Sequence, residues 1–170
     1  MNQEATLVNF TDTIATPIAA TIIDIPVVVL KDNLIDRISQ RAQLSQFAHA
    51  LKASALDSVL KVEEGPFTVF AVLNEQEIAA AKQSSTQKSE TWPASYIVKG
   101  AYSTPDIYKG FSSLMPQTTF KTYDQKQITI YSLRDTLFFK FNAEKRTAYL
   151  YASDLYASNG VVHIIKFLAD

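Results

Sequence analysis

The stretch Asp154-Leu155-Tyr156-Ala157-Ser158-Asn159-Gly160-Val161-Val162-His163-Ile164-Ile165-Lys166-Phe167-Leu168 closes the chain on its most apolar run. Asn159-Gly160 is a turn dipeptide whose residues tolerate positive φ, and the β-branched residues that follow it read as a buried strand. A chain that ends on such a strand has built the rest of its core to receive it. The run therefore predicts a closing element. Within it, alternation puts His163 on the side of Val161 and Ile165, with Val162, Ile164 and Lys166 opposite.

Upstream of this run the chain reads as a meander. Thr118 to Tyr123, Ile128 to Tyr131, Leu137 to Phe141 and Thr147 to Tyr151 are short apolar or alternating segments separated by polar turns. Such spacing predicts antiparallel strands. Leu137, Phe139 and Phe141 share one face; Tyr149 and Tyr151 share another, which either packs as half-buried sheet or stacks on sugar rings. Before the meander, Thr104-Pro105-Asp106 predicts a short helix with Thr104 as its cap. Trp92-Pro93 reads as a core anchor rather than a binding platform.

The first half is of a different kind. Asp32 or Asn33 can cap a helix carrying Leu34, Ile35 and Ile38, and Leu44, Phe47, Ala48 and Leu51 repeat the helical spacing. Leu56, Val59 and Leu60 continue it in a third turn. His49 lies outside this apolar stripe and is expected at the surface. Glu63-Glu64-Gly65-Pro66 is a turn, Phe67 to Leu73 a continuous apolar strand, and Asn74 a cap for a helix starting at Glu75. Gln83 to Thr91 is polar and reads as a surface loop. Residues 1–31 read as an N-terminal extension: a loose lead-in, then a β-branched stretch from Ala20 to Leu30 that could cover a flank or be donated to a second copy. Residues 32–170 form the domain.

Composition bounds function. The 170 residues suit one domain, able to bury about 70% of its unfolded surface without staples. No Cys is present, which excludes thiol nucleophiles and Cys-ligated zinc. With 16 basic and 17 acidic residues the net charge is -1, so no chain-wide field recruits nucleic acid or an anionic membrane. Ile14 to Leu30 is interrupted by Pro17, Asp24 and Pro26 and fits neither a signal peptide nor a membrane span. The four Gly form no phosphate loop, no metal or cofactor motif is present, and Thr68 with His163 reads as structural hydrogen bonding rather than a reactive pair.

Two ordered motifs resemble those of the fasciclin domain family. Asn159-Gly160-Val161-Val162-His163-Ile164-Ile165 is similar to its C-terminal signature. Gly65-Pro66-Phe67-Thr68-Val69-Phe70-Ala71 followed by Asn74-Glu75 is similar to its N-terminal one, with Val72 and Leu73 where the family usually has Pro and Thr. The resemblance spans residues 32 to 168. It implies an α+β fold, a wedge-like β-sandwich with several helices packed to one side. Thr68, Asn74, Asn159, Gly160 and His163 are then motif residues of structural role.

The resemblance also implies a non-enzymatic, extracellular, cell-surface or periplasmic adhesion module, a monomer or weak homo-oligomer, without a cofactor. Its partners would be proteins or glycans of a surface or matrix, with no nucleic acid and no membrane span. Asp154-Leu155 lies where adhesive members carry an acidic-aliphatic pair. Ser95-Tyr96 stands in the place of a Tyr-His pair associated with adhesion. Asp154, Leu155 and Tyr96 are therefore the candidate recognition residues, against the plainer reading that Asp154 accepts a backbone hydrogen bond and Leu155 is core. The alternative function is a small-molecule or lipid binding domain with a cleft between helices and sheet.

Overall fold

A computed structural model of the chain describes residues 30–63, 65–74 and 92–169. Expectations for the lead-in and the Ala20–Leu30 stretch up to Val29, for a helix from Glu75 and for the Gln83–Thr91 loop lie outside these residues.

Three helices come first. Helix α1 (Leu34–Ser39) starts where the sequence predicts: Asn33 accepts from the Asp36 N–H, and Asp36 returns the bond to the Asn33 N–H. This reciprocal capping box satisfies two otherwise orphaned donors. A 3₁₀ turn (Ala42–Leu44) leads into α2 (Ser45–Ala53), and α3 (Leu56–Val62) follows. Leu34, Ile35, Ile38, Phe47, Leu51, Leu56 and Leu60 are all buried, the faces expected from their spacing. His49 is exposed, also as expected.

Strand β1 (Phe67–Val72) is buried at every position. A 3₁₀ turn (Trp92–Tyr96) leads to β2 (Ile97–Lys99), and helix α4 (Thr104–Lys109) precedes the meander of β3 (Gln117–Lys121), β4 (Gln127–Leu133), β5 (Thr136–Phe141), β6 (Arg146–Ala157) and β7 (Gly160–Phe167). Trp92 packs edge-on against Phe47 and Tyr96, with ring centroids 5.5 and 5.6 Å away. It anchors the core.

All seven strands form one mixed sheet in the order β2-β1-β7-β6-β5-β4-β3. The expected closing strand is the hinge of this order, since β7 pairs parallel with β1 and antiparallel with β6. The two layers of the expected wedge are parts of this single sheet, which curls until its ends touch. Val98 of β2 bridges Thr122 just after β3, and the Tyr123 N–H donates to the Ile97 carbonyl at 2.7 Å. The α+β fold is as expected.

Two local expectations are corrected. The cap of α4 is Ser103, not Thr104, because only Ser103 stands three residues before Asp106 and can form the reciprocal box with it. Strand β6 does not stop at Tyr151 but runs to Ala157, with register shifts against β7 between Leu150 and Ala152 and between Ala152 and Leu155. Asp154 sits inside the second irregularity with φ of 56°. Each shift leaves a residue of β6 unpaired and disrupts the ladder locally before pairing resumes, which hides the strand from a period-two reading.

Candidate functional site

Two of the motif residues, Thr68 and His163, meet at the junction of β1, β7 and the loop before α4. Thr68 is fully buried; its hydroxyl donates to the Gly100 carbonyl at 2.7 Å and accepts from the Tyr102 N–H at 2.9 Å. On the neighbouring strand, His163 Nε2 lies 2.8 Å from the Tyr102 carbonyl, and the Asp154 N–H points at Nδ1 from 3.4 Å. A carbonyl only accepts, so Nε2 carries the proton and Nδ1 is the acceptor. Both polar atoms of Tyr102's backbone are thus held, one by each residue. The Thr68 proton is spent on a carbonyl, so no nucleophile and base are paired here.

His163 is buried and its ring stacks against Phe70 with centroids 5.7 Å apart. Burial pushes its pKa below the ordinary histidine value, against the opposing pulls of the Tyr102 carbonyl and the Asp154 charge. The neutral ring is the folded form.

Asp154, the first candidate recognition residue, is half-buried, and its carboxylate accepts the Thr104 N–H at 2.7 Å. Thr104 is the first residue of α4, whose free N–H groups call for such an acceptor. Burial resists ionisation of Asp154, but hydrogen bonding from Thr104 outweighs it and holds the carboxyl below its usual range. Leu155 is half-buried and packs against the core. The plainer reading fits both residues.

Tyr96, the other candidate, is 2% exposed. Its ring lies among Phe47, Trp92, Phe141 and Phe167, and its hydroxyl donates to Glu144 at 2.9 Å. A residue enclosed in this way presents almost no surface of its own to a partner.

Of the Asn159-Gly160 pair only Gly160 takes a positive φ, of 154°, and a Cβ there would lie 1.9 Å from the Phe67 carbonyl oxygen. Asn159 acts through its side chain. Its Oδ1 accepts the Leu34 N–H at 2.8 Å, its Nδ2 donates to the Leu60 carbonyl at 2.6 Å, and its own carbonyl accepts the Phe67 N–H at 3.0 Å. One residue satisfies the first turn of α1 and the last turn of α3 and starts β1.

Asn74 also works at a distance. Its side chain accepts from the Gln46 N–H at 3.0 Å and donates to the Ala42 carbonyl at 2.8 Å and the Ser45 hydroxyl at 3.0 Å. It caps α2, whose own N-cap position, Leu44, offers no side-chain acceptor. The segment that Asn74 is expected to cap lies outside the described residues, and the contact seen is with the helix 28 residues back.

Sequence reasoning missed Asp124. It accepts from Ser95 and Thr122, both at 2.6 Å, and pairs with Lys126 at 2.9 Å, where the two ends of the sheet meet. Burial resists its ionisation, but these donors hold its pKa below the usual value. An Asp in a polar turn carries no mark of partners 29 residues away.

Among the described residues, no group of three or more His, Cys, Asp and Glu side chains is placed to hold a metal ion, and no helix is long and apolar enough to cross a membrane. Two open grooves lie on the sheet's exterior. One, of about 410 Å³, is lined by Gln117, Thr129, Tyr131, Lys140 and Asn142; the other, of about 520 Å³, lies beside Glu63, Lys99 and Tyr123.

Comparison with known proteins follows the same lines. The family model described as "Fasciclin domain" matches residues 42–168. No curated protein sequence matches the chain. Among solved structures, a pair of such domains from the insect cell adhesion molecule fasciclin I is similar in fold, with a TM-score of 0.64 and 17% sequence identity. The match covers 84% of this chain and 52% of that one, so the chain spans about half the length of this structural relative.

Proposed function

The chain belongs to the fasciclin domain family, a family associated with cell adhesion, and on that premise we propose that it is a non-enzymatic contact module of a cell surface or envelope. In this reading its partners are proteins or glycans of a surface or matrix, and its location is extracellular, cell-surface or periplasmic.

One observation carries the reading: the polar residues that the motifs single out are spent on the protein's own backbone. Thr68 and His163 fix Tyr102, Asp154 holds the start of α4, and Asn159 and Asn74 cap helices. This is how a scaffold is built, and it leaves contact with partners to the outer surface. There Leu114 and Met115 stand 95% and 60% exposed in the loop after α4, with Tyr108 nearby, and Tyr151 and Tyr156 project from β6. Exposed aromatic and long apolar side chains are typical anchors of protein contacts.

The test is a binding screen of the purified chain against immobilised matrix proteins, glycans and whole cells, with heat-unfolded chain as control. Saturable binding by the folded protein alone is expected. Absence of binding in every format overturns the reading.

A further inference from the structure

The outer face of the meander carries an ordered pattern that the scaffold does not use. Gln117, Tyr131, Phe138, Tyr149 and Lys166 are directly opposed partners in four successive strand pairs. They form one row across β3, β4, β5, β6 and β7. Directly opposed side chains on a sheet face stand about 5 Å apart, so three aromatic residues follow one another without a gap. Tyr131 and Phe138 lie nearly parallel, 16° between planes and 5.5 Å between centroids. All three rings are half-buried, leaving part of each in solvent.

The neighbouring row is polar: Thr119, Thr129, Lys140 and Thr147 are opposed in turn, and Asn142 donates to Thr129 at 3.2 Å. Between the two rows opens the groove of about 410 Å³, within the size range of small-ligand clefts. Charge on this face has one sign. Strands β3, β4, β5 and β7 contain no Asp or Glu, and the one acidic residue of β6, Asp154, is bound to Thr104. Lys121, Lys140 and Lys166 face outward among them. In a chain of net charge -1, this is a local positive field.

An occupant matched to this face has apolar ring faces, hydroxyl edges and regularly spaced negative charge. We propose that the face binds an acidic polysaccharide, its sugar rings lying along Tyr131, Phe138 and Tyr149 and its carboxylate or sulfate groups meeting Lys140 and Lys166. The proposal rests on the reading of the chain as a contact module and names one class of partner for it. The aromatic row supplies apolar contact with the C–H faces of the rings. Gln117, Thr129 and Asn142 supply hydrogen bonds to hydroxyls, and the lysines make the affinity fall with salt.

Affinity electrophoresis of the whole chain tests this in gels containing alginate (carboxylated), dextran sulfate (sulfated), dextran (neutral) or polyglutamate (anionic without sugar rings). Retardation by alginate or dextran sulfate, and not by dextran or polyglutamate, is the expected result; which of the two acts identifies the anionic group. The double variant Lys140→Gln/Lys166→Gln should weaken binding about tenfold without lowering the melting temperature, as should Tyr131→Ser. If Tyr131→Ser proves unstable, the lysine pair, neither member of which is buried, decides the matter. No retardation by either acidic polymer, equal retardation by polyglutamate, or undiminished binding by the lysine variant overturns the proposal. Saturable binding to cells or matrix proteins alongside such a failure leaves the contact-module reading standing; silence in both sinks both.

Discussion

Asn159 shows how much of this protein rests on single polar side chains. Its amide accepts from a donor of α1 and donates to an acceptor of α3. Replacing it with Ala removes both bonds, and Asn159→Ala should lower stability by roughly 2–3 kcal/mol in denaturant melts. A change below about 0.5 kcal/mol would contradict this role. His163 gives a second expectation. Its folded pKa lies below the unfolded value of about 6.5, so the unfolded chain takes up a proton first as pH falls. Stability should therefore be full above that value and decline as pH drops through it. Asp154 has its folded pKa depressed, so it adds a further loss only on falling below the ordinary carboxylate value. Melts that stay flat from pH 7.5 to about 5 would refute the histidine contribution.

At the scale of elements, α2 depends on a cap from outside itself. Asn74→Ala removes the acceptor at the Gln46 N–H and should cost about 1 kcal/mol, with faster hydrogen exchange in the first turn of α2. Exchange unchanged at Gln46 would mean that Asn74 does not cap this helix. The elements themselves were largely legible in the sequence. The 3.6-residue spacing of Leu34 through Leu60 and the two-residue alternation of Leu137, Phe139 and Phe141 report directly which faces are buried. What stayed hidden was set by partners distant in sequence. Asn74 reaches α2 28 residues back, Asn159 reaches α1 across 125 residues, and β6 conceals its length behind a left-handed Asp154. The burial of Tyr96 was hidden for the same reason, since only the assembled aromatic cluster encloses that ring.

For the molecule as a whole, β7 joins the β1–β2 ladder to the meander, and Asp124 fastens the two free ends of the resulting sheet through Ser95, Thr122 and Lys126. Asp124→Ala should loosen that seam, seen as faster exchange of the Tyr123 amide while amides of β1 and β7 remain protected. Equal acceleration throughout the sheet would show that the seam is not a separate unit. The same economy governs function. Motif residues build the frame, and in the function proposed here partners are left the exterior. Asp154 separates this account from one in which the motif is itself the contact. Its carboxylate holds Thr104 and its backbone is left-handed, so Asp154→Ala should lower stability by about 2 kcal/mol, and Asp154→Asn by less. The decisive measurement is the melt and the cell- or matrix-binding curve of Asp154→Ala, taken side by side with binding scaled to the folded fraction. A lowered melt with unchanged binding per folded molecule is the result predicted here, whereas an unchanged melt with binding abolished would make Asp154 the recognition group and contradict it.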